Sequence, residues 1–236
     1  MVVIVAAVLV VVVTSAVQGA VGFGMNLLAV PVLVVLDPAL VPGPALAAGL
    51  VLAFLVAARE RRPFDRRLGW AFLGLLPGIA LALALLSIVP SDSLSLPLGV
   101  LVLVAVALSA VRLDLSPTPA TLSAAGVASG FLATAASIAG PPLALVYART
   151  PGPQLRSTVS GFFAITAPFS LFALVLTGHY GAGELSSSLL LVLGAIAGFV
   201  ASGPLRPVVD RGHTHAAVLV LSAVAGIVAI AEGLLG

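Results

Sequence analysis

The side chains able to hold a ligand are few, and they cluster in two places. One is Gln18-Gly19-Ala20-Val21-Gly22-Phe23-Gly24-Met25-Asn26, followed by Pro31. The other starts at Ser129-Gly130-Phe131 and passes Thr134 to Ser137-Ile138-Ala139-Gly140-Pro141-Pro142. Both interrupt long apolar runs, and clustered Gly and Pro make a poor helix interior. In hydrocarbon, a broken helix leaves backbone N–H and C=O groups unpaired. Such breaks survive only where they are buried in protein or line a cavity. Gly19 and Pro31 are twelve residues apart, as are Gly130 and Pro142, and Asn26 matches Ser137 in polarity. Paired breaks at corresponding points of two halves mark a transporter's substrate site. Half-helix N-termini at such breaks offer free N–H groups and a partial positive charge, which favour an anion.

The other residues around the breaks are neutral hydrogen-bonders: Thr14, Ser15, Gln18, Asn26, Ser129, Thr134 and Ser137, joined by Ser160 and Thr166 from a later segment. No Arg, Lys, Asp or Glu falls well inside an apolar span, whereas a cationic substrate calls for an acid at membrane depth. A small oxyanion held by backbone N–H groups and hydroxyls fits this inventory. The plainer alternative for each isolated Ser or Thr is a hydroxyl bonded back to its own helix.

Other candidate chemistry is thin. His213 and His215 form an H-x-H pair beside Arg211, but no carboxylate or Cys completes a metal set. A solvated loop is the better reading, with no metal and no cofactor expected. An intramembrane enzyme needs a nucleophile with a base at depth. His179, His213 and His215 all fall in loops, so the chain is not read as an enzyme. Asp37 precedes Pro38 and suits a turn. Arg149 and Arg156 flank the exit of the second break as topology determinants, and Trp70 and Tyr147 sit near span ends as interfacial anchors.

The elements that must position these residues are transmembrane. The chain has 236 residues, 61% hydrophobic and 8% charged, with a mean hydropathy of +1.29. Soluble domains carry about 25% charged residues, so this is an integral membrane protein. All ten basic residues are Arg. They fall in short loops between apolar spans, which orients a membrane protein and argues against nucleic acid. There is no Cys, hence no disulfide or thiolate chemistry. Met1-Val2-Val3-Ile4 lacks a basic leader and reads as a retained membrane segment.

Apolar segments cover 2–36, 44–58, 68–89, 96–111, 120–148, 157–177, 185–202 and 216–235. They form two sets of four, a first repeat over 1–114 and a second over 115–236, within one membrane domain. Gly74 and Gly78 in the third segment match Gly194 and Gly198 in the seventh, as small-xxx-small pairs suited to close helix packing. Corresponding loops carry opposite charge bias. Arg59, Arg61, Arg62, Arg66 and Arg67 follow segment two, whereas 178–184 has no Arg; the 90–95 loop has none, whereas its counterpart carries Arg206 and Arg211. That is the mark of inverted-topology repeats. Eight simple crossings would strand four arginines outside. If 2–36 and 120–148 are instead re-entrant hairpins folded at their breaks, each half has one hairpin plus three crossings. All ten arginines then face the cytoplasm. The expected fold is an all-α polytopic membrane protein of two inverted repeats, the hairpin tips meeting near the midplane.

Gly19-Ala20-Val21-Gly22-Phe23-Gly24 with Pro31, and Gly130-Phe131-Leu132 leading into Gly140-Pro141-Pro142, resemble the two signature stretches of the sulfite exporter TauE/SafE family. The Gly-rich third and seventh segments agree, and the resemblance covers nearly the whole chain. It implies a bacterial inner-membrane permease for sulfite, sulfoacetate or another sulfur-containing or organic anion. The motif residues Gly19, Gly22, Phe23, Gly24, Asn26, Pro31, Gly130, Phe131, Gly140, Pro141 and Pro142 would carry transport. The hydrogen-bonders Gln18, Ser129, Thr134 and Ser137 complete the expected substrate-binding set. Ala139 stands where many relatives carry a second glycine. The expected partners are the anion and the lipid bilayer, with a homodimer open to the chain. A passive anion channel shares the same inventory. Export by alternating access, hinged at the Gly-rich breaks, is the mechanism the resemblance and the paired breaks suggest.

Overall fold

A computed structural model describes residues 2–21, 24–60, 63, 65–89, 94–111, 115–203 and, near the C-terminus, 223–224, 226–228 and 230–231. The described residues are helical, with no strand among them. The helices are α1 (Val2–Val21), α2 (Met25–Leu36), α3 (Gly43–Glu60), α4 (Gly69–Ile88) and α5 (Ser95–Ala110), then α6 (Pro119–Ala136), α7 (Gly140–Val146), α8 (Gly152–Leu176) and α9 (Ala182–Ala201). Short 3-10 turns at Pro38–Leu40 and Arg66–Leu68 precede α3 and α4. Among the described residues, six stretches are long and apolar enough to cross a membrane: 2–20, 38–60, 66–88, 119–136, 152–176 and 182–201. The chain is an all-α, multi-pass membrane protein. Gly22, Phe23, Arg61, Arg62, Arg112, Arg206, Arg211, His213 and His215, and most of the 216–235 segment, lie outside the described residues.

Both expected breaks are present. α1 ends at Val21 and α2 restarts at Met25; α6 ends at Ala136 and α7 restarts at Gly140. α2 has 12 residues and α7 has 7. At about 1.5 Å per residue both are far short of a bilayer's ~30 Å hydrocarbon core. α8 begins at Gly152, five residues before the expected start at Ser157, which draws Arg156 into a helix.

Four glycines set how the helices meet. A Cβ on Gly74 would stand 2.1 Å from Ser123 O, and one on Gly78 would stand 2.2 Å from Val127 O. From the other side, a Cβ on Gly126 would lie 1.9 Å from Ala71 O, and one on Gly130 would lie 2.7 Å from Leu75 O. Because the contact advances along both helices in the same sense, α4 and α6 run parallel, backbone on backbone. The same holds between α1 and α9. Gly194 faces Val8, Gly198 faces Val12, and Gly19 faces Ser202. The glycine pairs thus act in helix packing, where missing side chains let backbones approach.

Hydrogen bonds fix which ends lie together. Ser123 Oγ donates to Trp70 O (3.1 Å) and Tyr147 Oη donates to Asp65 (3.2 Å), so the α6–α7 pair starts and finishes at one end of the bundle. Gln154 Nε2 donates to Pro63 O there, and Arg156 pairs with Glu60 at 3.0 Å. The start of α3 lies at the other end, where Gly43 packs on Tyr180. Tyr147 is therefore no interfacial anchor: it is 3% exposed and held by Asp65, while Trp70 is exposed. Asp37 makes the expected turn, its carboxylate accepting from Ala39 N at 3.0 Å. Leu73, Leu76 and Leu81 of α4, and Leu189, Leu193 and Val200 of α9, point outward, as lipid-facing positions do.

Candidate functional site

The first break is built by Gln18 and Gly24. Gly24 has φ 110°, a left-handed conformation that favours glycine. Gln18 Oε1 accepts from Met25 N at 2.8 Å, so a side chain from the end of α1 caps the start of α2. The first-turn amides of a helix have no partner within it, and here that of Met25 is taken by the Gln18 side chain. The second break turns at Ser137, a non-glycine residue at φ 61°. Residues held in this sparsely populated region cost about 1–3 kcal/mol and cluster at functional sites. Ser137 N returns to Ala133 O, Ile138 N returns to Leu132 O, and Ser137 Oγ donates to Pro42 O at 2.7 Å.

The two breaks touch. Asn26 Nδ2 donates to Ser137 O at 2.8 Å across 111 residues, and to Ala45 O at 3.3 Å. That separation of 111 is also the spacing of Gly19 from Gly130 and of Pro31 from Pro142. Asn26 thus meets the residue that the spacing of the two breaks pairs it with. Its amide orientation is fixed by the two carbonyls, leaving Oδ1 buried with no hydrogen-bond partner. An unsatisfied buried acceptor costs about 1–3 kcal/mol.

A cavity opens at this junction. Gln18, Gly24, Asn26 and Leu27 line it from the first break, and residues 137–141 line it from the second. Ala53 of α3 and Val159, Ser160 and Phe163 of α8 complete the wall. No charged side chain lines it. Among the described residues no cluster of His, Cys, Asp and Glu has metal-binding geometry.

Of the fifteen expected binding residues, the cavity brings together Gln18, Gly24, Asn26, Ser137, Gly140 and Pro141. Gly19 instead packs on Ser202, and Gly130 packs on Leu75. Thr134 donates to Ser170 Oγ at 2.8 Å, and Ser129 is buried with its hydroxyl unpartnered. Pro31 and Pro142 are buried beside the breaks without reaching the cavity, and Phe131, half-buried, packs on the core. Gly22 and Phe23 fall outside the described residues. Thr14 and Thr166 bond back to their own helices, the ordinary fate of such hydroxyls.

Sequence reasoning missed two charged contacts. Arg59 reaches from the last turn of α3 to the Gly19 carbonyl and to Ser202 Oγ (2.9 Å), and stacks on the Phe199 ring at 4.3 Å. A cation there favours the carbonyl end of α1 and ties it to α9. Arg156 and Glu60 form a pair with side chains only 7% and 5% exposed, joining α8 to α3. Both arginines counted in sequence as plain loop charges. The long apolar stem that lets Arg reach inward from a span end gave no sequence signal.

The family model for Sulfite exporter TauE/SafE matches residues 7–229. This chain belongs to that family. The match takes in both breaks, every residue lining the cavity and the helices around them. TauE/SafE proteins are transporters and not enzymes, so the chain is a multi-pass membrane transporter. Comparison with curated proteins and with solved structures returns no match.

Proposed function

We propose that this protein is a permease for a small sulfur-containing or organic oxyanion, bound where the two broken helices meet and exported by alternating access. The observation that carries the reading is the Asn26–Ser137 contact. It joins the breaks of both halves beside a cavity with no charged wall. Backbone amides at the start of α2 and the Gln18 amide supply donors for an anion, and the lack of an acid there disfavours a cation.

The reading takes the halves as inverted repeats, each a re-entrant hairpin plus three crossings. The parallel α4–α6 and α1–α9 seams support this, since the second crossing of each half packs on the first helix of the other. So does the return of α6–α7 to the end from which it started. Arg59, Arg66, Arg67, Arg149 and Arg156 gather at that end, which the positive-inside rule makes cytoplasmic in a bacterial inner membrane. The hinges of transport would be the breaks themselves, the places where the backbone is not held by helix hydrogen bonds.

The test is flux in proteoliposomes loaded with sulfite, sulfoacetate, sulfate or acetate, comparing the native chain with Asn26→Leu. Saturable, trans-stimulated efflux of one anion, reduced at least tenfold by Asn26→Leu, is expected. Flux that survives the substitution moves the site elsewhere. Flux that never saturates makes the protein a passive anion channel.

A further inference from the structure

One charged contact lies between the cavity and the arginine-rich end of the bundle. On α8 the cavity is lined by Val159, Ser160 and Phe163. Arg156 stands three, four and seven residues before them, which puts it on the same face of the helix. It lies about 6 Å along the axis from Ser160. On α3 the lining residue is Ala53. Glu60 follows it by seven residues, two turns on, with Val56 fully buried between them. Arg156 Nε donates to Glu60 Oε1 at 3.0 Å. The pair thus bridges the two cavity-lining faces at the end where α3 finishes and α8 begins.

Packing alone does not call for ions at this place. Taking two charges out of water can cost as much as their attraction returns, and well-packed apolar residues hold helices together as well. The opposite end of the α3–α8 seam is closed in that way. Leu46 and Leu174 are fully buried there, with Leu171 and Tyr180 packed beside them. Shifted by the 111-residue spacing of the two breaks, Glu60 falls on Leu171 and Arg156 falls on Ala45. One end of the seam is therefore apolar and the other ionic. A guanidinium receives a carboxylate, a sulfonate or a sulfite alike, through N–H donors matched to the oxygens of the anion. The Glu60 carboxylate has the charge and the oxygen spacing of such a head group.

We infer that Arg156 is a second anion-binding position, at the cytoplasmic mouth of the transport path, and that Glu60 occupies it in this closed arrangement. An oxyanion at that mouth takes the place of Glu60 on the guanidinium, which frees α3 from α8 and opens the way between the cytoplasm and the cavity one turn further on. The exchange keeps Arg156 paired throughout, whereas parting the helices with no anion present loses the pair and gains nothing in return. A cation drawn to Glu60 would find no acid in the cavity beyond it. This rests on the permease reading and its topology, and deepens them.

The test is uptake of sulfite, sulfoacetate, sulfate or acetate into right-side-out and inside-out vesicles bearing the full chain, which gives a half-saturating concentration for each face. Glu60→Met with Arg156→Met replaces the pair by apolar side chains and is expected to unfold near the native temperature. Half-saturation at its cytoplasmic face is expected to rise about tenfold or more, as the loss of a charge-assisted hydrogen bond implies, while the outer face stays near the native value. Arg156→Lys keeps the charge and the pairing but loses the planar fork. It is expected to raise the cytoplasmic value severalfold, and it carries the test where the double variant folds poorly. A latch that binds no anion would leave that value unchanged, or lower it by favouring the open arrangement. A cytoplasmic half-saturation that is unchanged or lowered in Arg156→Lys, or in the folded double variant, overturns the inference and leaves the permease standing. If the native chain moves none of the four anions, the permease reading fails and this inference with it.

Discussion

The α4–α6 seam gives a sharp test of the packing, through Gly126→Ala. A Cβ at Gly126 would lie 1.9 Å from Ala71 O and 2.8 Å from Ala71 C, both backbone atoms in the first turn of α4. Neither can rotate away. To reach an ordinary carbon contact α4 and α6 must separate by at least about 1 Å, and a gap of that size forfeits a quarter to a half of each facing dispersion contact. The Gly74, Gly78 and Gly130 contacts lie in the same seam and loosen together. Overpacking of this kind costs about 1–3 kcal/mol. The natural control is Gly183→Ala in the first turn of α9, where a Cβ meets nothing within 4 Å. There the same substitution is expected to stabilise by about 0.4–1 kcal/mol by restricting the unfolded chain. Reversible denaturant titration of both variants in mixed micelles measures the pair. If Gly126→Ala is no more costly than Gly183→Ala, the close backbone approach does not exist and the seam has been misread.

Two further predictions concern charge. Arg156→Met breaks the buried ion pair with Glu60 and is expected to cost about 3–5 kcal/mol, while the double variant Arg156→Met with Glu60→Met recovers most of it. Equal losses in the single and double variants, in the same titration, would sink the ion-pair reading. At the loop before α4, burial by itself would raise the Asp65 carboxyl. Hydrogen bonds and charge from Arg67, with the Tyr147 hydroxyl, more than offset it and hold the carboxyl below its ordinary value. A depressed carboxylate adds stability that is present above the unfolded pKa of about 4 and lost as pH falls through the folded one. Tyr147→Phe is therefore expected to raise the Asp65 pKa and flatten the acid limb of the stability profile below about pH 4, read by thermal unfolding between acid and neutral pH. An unchanged acid limb would remove Tyr147 from that network.

The sequence alone determined that this is a polytopic helical membrane protein and where its helices break. Both followed from local properties: an almost uncharged chain must satisfy its backbone in helices, and the Gly- and Pro-rich stretches 19–24 and 137–142 make poor helix interiors. Spacing also paired Asn26 with Ser137. The tertiary structure decided which break residues face a ligand. Gly19 and Gly130 carry the signature as strongly as Gly24 and Gly140, yet the first two are turned onto neighbouring helices and the second two onto the cavity. In a chain apolar on every side, no periodicity distinguishes lipid from protein, so facing is set only by which helix packs where. The same holds for Arg59 and Arg156, whose partners lie 143 and 96 residues away in sequence. The Asn26 amide follows suit: it could have turned either way, and the carbonyls of Ala45 and Ser137, brought from distant segments, settled which.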